Sequence, residues 1–235
     1  MVFTSQYSRA VAGFLCLFLL SISVIAQSAS IAKAKEKYNY LLYLPRDYAT
    51  SKTAYPVVIY LHGGSQRGTD LNKLKIYGLP HLVEKGTDFP FIIASPQCPD
   101  GKFWSTDNWF DSLYADLATK YRIDPKRVYL TGISMGGYGA WQTAVAYPDK
   151  FAAVVPLCGG CDDSTQICTI RQVPVWTFHG TADDLIPINE TERLVNRLKQ
   201  CHGSVKFTRL ENEGHDIRYL YEDKSIYAWL LKQHK

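Results

Sequence analysis

Beyond its first 26 residues the chain has no long apolar run, no internal repeat, no low-complexity linker and no block of like charge. A bilayer-crossing helix needs about 20 apolar residues in succession, so no stable membrane association is expected of that part. Charge is balanced: 26 Lys and Arg stand against 22 Asp and Glu, a formal net of +4 scattered along the chain. That is too little and too dispersed for a nucleic-acid-binding face. Cysteine is scarce as well, with six in all. Cys158-x-x-Cys161 with nearby Cys168 finds no further Cys or His at the spacing of a four-ligand zinc site, so no metal is expected. No motif calls for a cofactor.

The N-terminus is a different kind of sequence. Arg9 is the only basic residue before Lys33 and is followed by Val11-Ala-Gly-Phe-Leu-Cys-Leu-Phe-Leu-Leu20, then Ser21-Ile-Ser-Val-Ile-Ala26. A basic start, an apolar middle and a small-residue exit predict a signal peptide over residues 1–26, cleaved after Val24-x-Ala26. From Ala10 to Ala26 is about 17 residues, at the low edge of a membrane span, which favours cleavage over anchoring. The mature chain is then a secreted or periplasmic protein of 235 − 26 = 209 residues, enough for one full core. It retains Cys98, Cys158, Cys161, Cys168 and Cys201. In an oxidising compartment an odd number predicts disulfide bonding with one thiol over. The expected bridges draw on Cys158, Cys161 and Cys168.

One domain is expected from residue 33 to 235. Pro56–Leu61 and Phe91–Ser95 are short, continuously apolar and β-branched, the mark of strands buried on both faces. Arg127–Thr131, Ala152–Leu157, Val173–Phe178 and Val205–Leu210 repeat that mark, and Tyr38–Pro45 suits an outer strand. Helical spacing appears over Ser105–Tyr121, Gly136–Tyr147, Glu190–Cys201 and Leu220–Gln233. Strands alternating with helices predict a mostly parallel α/β sheet covered on both faces, with no large cap domain. Ligands of such sheets bind at the carboxyl ends of the strands.

Gly132-Ile-Ser134-Met-Gly136 falls between a predicted strand and a predicted helix. A nucleophilic serine on a sharp strand-to-helix turn needs glycines on either side for clearance, and the helix N-terminus favours a developing oxyanion. Ser134 is therefore the expected nucleophile. A serine needs a base oriented by an acid. Of six histidines, His215 follows a predicted strand and precedes the last helix. His62 and His179 each precede a glycine at a strand end and suit loop hydrogen bonds; His81 and His202 suit helix surfaces; His234 lies in the tail. For the acid, Asp183 and Asp184 both follow the strand ending at Phe178, with Asp162 and Asp163 as a weaker pair.

Together, Leu61-His-Gly-Gly64, Gly132–Gly137, His179-Gly-x-x-Asp183-x-x-x-Pro187 and Gly214-His215 resemble the α/β-hydrolase superfamily. The likeness is to its carboxylesterase/phospholipase and prolyl-oligopeptidase-like branch, often labelled predicted peptidases or poly(3-hydroxybutyrate)-depolymerase-like esterases. It covers nearly the whole mature chain in the expected order. The resemblance implies Asp183 rather than Asp184 as the acid. It also implies an oxyanion hole of the Met135 amide with that of Gly64, Ser65 being the substitute. Depolymerases of the family usually carry Ala after the serine, so Met135 speaks against that polymer. The loop carrying Trp104 is expected to overhang the nucleophile, where Trp104 either walls the substrate site or packs the loop down. The expected activity is carboxylic-ester hydrolysis through an acyl-enzyme, on small-molecule or polysaccharide-linked esters with compact acyl groups. Peptide cleavage by the same triad is the alternative.

Overall fold

The computed structural model describes residues 37–235, all within one compact unit, Lys33–Lys235. The expected signal peptide lies outside the described residues. Seven strands form one sheet: β1 (Tyr40–Tyr43), β2 (Tyr55–Leu61), β3 (Ile92–Pro96), β4 (Ile123–Ile133), β5 (Ala153–Leu157), β6 (Val175–Gly180) and β7 (Val205–Leu210). Their order is β1-β3-β2-β4-β5-β6-β7. Only β1 runs antiparallel, on β3; every other pairing is parallel.

Among the described residues five helices cover this sheet: α1 (Leu79–Glu84), α2 (Trp109–Lys120), α3 (Met135–Ala146), α4 (Asn189–Gln200) and α5 (Lys224–Leu230). The alternation of strand side chains divides the interior in two. Val57, Ile59, Leu61, Val128, Leu130 and Val154 meet residues of α2, α3 and α4, such as Leu113, Trp141 and Leu194. On the opposite face Val58, Tyr60, Tyr129, Val155 and Phe178 meet Leu79 of α1 and Ile226, Tyr227 and Leu230 of α5. A strand buried on both faces must be apolar at every position, which is why β2 reads as an unbroken apolar run. In α4 the pattern differs: Thr191, Leu194, Val195 and Leu198 face inward, with Glu190 and Glu192 in the first turn and Arg197 and Lys199 in the last. Those charges complement the helix dipole at both ends.

Two expected helices are shorter than their sequence periodicity. Residues before α2 form a turn, in which the Phe103 amide donates to Thr106 Oγ1 and the Thr106 amide to the Phe103 carbonyl. The final helix is interrupted at Asp223, whose carboxylate accepts from the Ser225 amide and so starts α5 afresh after a 3₁₀ turn at Arg218–Glu222.

The cysteine expectation requires correction. Cys168 is bonded to Cys201, tying the 3₁₀ segment Ser164–Ile170 to the end of α4. Cys158 and Cys161 are not bridged; with Cys98 they are three buried free thiols, rather than one left over. Cys158 is held at the end of β5 with its thiol toward the His215 carbonyl, and Cys161 points its thiol at the Asp163 carbonyl.

Candidate active site

Strand β4 leads directly into α3, and Ser134 is the residue between them, at φ 58° and ψ −119°. A positive φ is strained for a residue with a side chain, and it lifts the hydroxyl above the sheet edge. The flanking glycines permit the turn by their lack of a side chain. A Cβ on Gly132 would lie 2.2 Å from the Gly136 carbonyl oxygen, and one on Gly136 would lie 2.0 Å from that of Leu61. The turn can therefore nest against β2 only with glycine at both positions.

Ser134 Oγ lies 2.8 Å from His215 Nε2, and His215 Nδ1 lies 2.8 Å from Asp183 Oδ2. Three loops separated by 81 and 32 residues thus meet in one chain of hydrogen bonds. Asp183 divides its oxygens. Oδ1 accepts the amides of Leu185 and Ile186 at 3.0 and 2.8 Å, while Oδ2 faces His215. Its side chain is wholly buried. Burial pushes its carboxyl up, but the Ile186 amide, the His215 ring and the Leu185 amide outweigh this and hold it below the ordinary carboxylate value. Asp184 is exposed. Of the weaker candidates, Asp163 caps the Ser164–Ile170 turn and Asp162 accepts from Gln142.

His179 has more to do than its strand-end position suggests. Its Nε2 faces two acceptors, the Ile186 carbonyl at 2.8 Å and Asp183 Oδ2 at 3.2 Å, so this nitrogen carries the proton. Thr191 Oγ1 lies 2.8 Å from Nδ1. A second imidazole thus braces the same carboxylate oxygen that faces His215. The only sequence signal for it is the shared His179–Asp183 segment.

His62 ties down the loop opposite. It accepts the Cys98 amide on Nε2 at 3.0 Å, so its proton is on Nδ1, which donates to the Gly63 carbonyl at 2.7 Å. Burial lowers its pKa to about 4. This neutral ring holds the Gly63–Gly64 backbone beside Ser134: a Cβ on Gly63 would come within 3.7 Å of Ser134 Cβ. Gly64 and Met135 each open a helical turn, and a first-turn amide has no acceptor within its own helix.

Two cavities meet at Ser134. One, of about 340 Å³, is lined by Gly63, Gly64, Tyr77, His215, Asp216 and Arg218 among others. The second, of about 500 Å³, is bounded by Phe103, Trp104, Met135, Tyr138, Gln142 and Ile186. Trp104 is only 3% exposed, donates from Nε1 to the His62 carbonyl and packs on Gly139. It is chiefly a loop anchor that lends one edge to the cavity. Phe103, 55% exposed, is the aromatic that the loop presents there, and sequence reasoning passed over it.

Among the described residues one cluster has metal-ligating donors: Cys158 Sγ, an Asp183 oxygen and a His215 nitrogen lie within 4.8 Å of one another. His215 and Asp183 already spend those atoms on each other, and burial pushes the Cys158 thiol up to about 12, against thiolate formation. The donor set suits the hydrogen-bonded relay better than a cation.

The chain resembles known esterases in sequence and in fold. The Putative esterase family model matches residues 31–204. The bifunctional acetylxylan esterase/xylanase XynS20E of Neocallimastix patriciarum is 34% identical over 205 residues, covering 81% of this chain and 29% of that protein. The poly(3-hydroxyoctanoate) depolymerase of Pseudomonas fluorescens is 26% identical over 173 residues, covering 63% of this chain and 61% of its own length. The chain therefore spans less than two thirds of either relative. Among solved structures, a thermostable esterase superposes with a TM-score of 0.72 at 29% identity, over 83% of this chain and 59% of its own. By fold and sequence this chain belongs to the Esterase family of α/β-hydrolases.

Proposed function

We propose that the protein hydrolyses carboxylic esters through an acyl-enzyme on Ser134, with His215 as the base and Asp183 as its orienting acid. The observation that carries this reading is the unbroken relay Ser134–His215–Asp183, each link at 2.8 Å. Ser134 Oγ attacks the ester carbon while His215 Nε2 takes the hydroxyl proton; the carbon–oxygen bond to the alcohol then breaks, and His215 protonates the departing oxygen. Water repeats the sequence on the acyl-enzyme and releases the acid. Asp183, buried and ionised, keeps the proton of the resting ring on Nδ1 and stabilises the imidazolium. The amides of Met135 and Gly64 receive the tetrahedral oxyanion, each such donor being worth about 3–4 kcal/mol.

The acylated polysaccharide named in the first relative suits an exported enzyme, and we place this one outside the cytoplasm after cleavage at Ala26. A mature N-terminus at Gln27 in protein recovered from the medium or periplasm is the expected result; retention of residues 1–26 would contradict export by cleavage. The expected substrates carry compact acids, acetyl or a single aromatic ring. The second cavity, of about 500 Å³, falls within the range of small-ligand sites and accommodates an acid of that size. The test compares kcat/KM for acetyl, feruloyl, butyryl and long-chain esters with matched peptide anilides. Peptides cleaved as fast as esters would promote the peptidase alternative.

A further inference from the structure

We propose that the groove running from His215 across Tyr77 and Arg218 to Tyr219 is the leaving-alcohol subsite, and that its occupant is a sugar carrying the ester through one hydroxyl. The proposal rests on the esterase reading above. It begins with the two cavities that share Ser134. The departing alcohol oxygen must lie within hydrogen-bond reach of His215 Nε2, because that nitrogen delivers its proton. Only the cavity of about 340 Å³ contains His215; the cavity of about 500 Å³ does not. The alcohol therefore occupies the first and the acid the second.

The alcohol side is built for a polar, flat-faced occupant larger than a simple alkanol. Arg218 donates from Nε and Nη2 to the two oxygens of Asp216, both at 2.6 Å, and its guanidinium lies over the Tyr77 ring at 4.8 Å. Tyr77 is itself tied to Ser65, the two hydroxyls being 3.2 Å apart. The result is a planar pair of donors and acceptors held at fixed spacing at the mouth of the site, with 44% of the arginine side chain and 63% of the aspartate side chain still open to solvent. An exposed ion pair contributes little to stability, so its position beside His215 is better explained by recognition. Such a pair matches neighbouring hydroxyls of a sugar edge-on, as arginine forks do for other planar polar groups.

The groove also continues. A third cavity, of about 350 Å³, shares Tyr77, Asp216 and Arg218 with the first and extends to Ile76 and Tyr219. Tyr219 is 48% exposed, an aromatic face available at the far end. Methanol or another short alcohol would leave all of this unfilled. A sugar bonded to further sugars would lie across the charged pair and reach the tyrosine.

The experiment measures, for one acid, the ratio of kcat/KM on its xylo-oligosaccharide ester to kcat/KM on its methyl ester, in wild type, Arg218→Ala and Tyr219→Ala. Taking the ratio cancels effects on the acyl half of the reaction, including any that Arg218→Ala exerts through Asp216. Tyr219→Ala removes an exposed ring and leaves the core intact. The expected result is a fall in the ratio of about tenfold in each variant, carried mainly by KM. Free xylo-oligosaccharide should inhibit the wild type competitively and lose that effect in Tyr219→Ala. A ratio within about twofold of wild type in both variants overturns the subsite, even where methyl-ester turnover upholds the esterase itself. A larger fall on a 3-hydroxy-acid dimer ester than on the sugar ester overturns the sugar assignment.

Discussion

Asp183 uses one oxygen to close its own turn and sets the other 2.8 Å from His215, so capping a turn does not exclude it from the proposed relay. Asp183→Asn should therefore lower kcat by several orders of magnitude, on the scale of about 10⁴-fold known for such acids. Asp184→Asn, at an exposed position, should stay within about twofold of wild type. The reverse ranking in steady-state assays would contradict the assignment. At His62 the expected effect is on stability. Its folded pKa is about 4 against an ordinary 6.5, so the unfolded chain binds the proton more readily across that interval. Stability contributed here is complete above pH 6.5 and is lost as pH falls toward 4, on the order of 3 kcal/mol in full. Urea melts of wild type and His62→Gln between pH 4 and 7 should show a shallower pH slope in the variant; parallel slopes would refute it. The strand–turn–helix setting of Ser134 and the place of His215 after the last strand, which the fold brings within 2.8 Å of each other, were legible from local pattern. His179, Phe103 and Arg218 were not: His179 reaches Asp183 only through the fold of the turn between them, and Phe103 and Arg218 line cavities formed together with segments distant in sequence.

Among the elements, β2 and β7 match their expected spans closely, while α2 begins four residues later than its periodicity suggests because a side-chain-capped turn competes for those residues. Periodicity registers which residues face inward, and it is blind to caps such as Asp223. Disulfide connectivity was illegible for a related reason: Cys201 gains a partner only because α4 packs beside the Ser164–Ile170 turn. Thiol titration of the unreduced, denatured mature protein should count three thiols, from Cys98, Cys158 and Cys161. Cys201→Ser opens a loop with a sequence separation of 33, which should cost about 3–4 kcal/mol and lower Tm by roughly 10 °C. Five free thiols, or an unchanged Tm, would contradict the bridge. The turn around Ser134 makes a sharper demand. Gly136→Ala would place a methyl 2.0 Å from the Leu61 carbonyl oxygen, so a loss of about 1–3 kcal/mol or more is expected in chemical melts; a neutral result would mean that β2 and α3 can separate freely.

For the molecule as a whole, a doubly covered parallel sheet delivers three distant loops to the carboxyl ends of β4, β6 and β7, and the catalytic proposal depends on their meeting. That sheet was readable from alternating strands and helices; the pairing of two cavities around one serine was not, because cavities are formed by what the loops leave open. Everything proposed about substrate follows from Ser134 being the atom that carries the acyl group. The most direct test treats wild type and Ser134→Ala with a fluorophosphonate, then measures intact mass and maps the modified peptide. A single adduct on Ser134 with loss of ester hydrolysis, and neither adduct nor hydrolysis in Ser134→Ala, is the predicted result. Ester hydrolysis persisting in Ser134→Ala, or an adduct mapping to another residue, would contradict it.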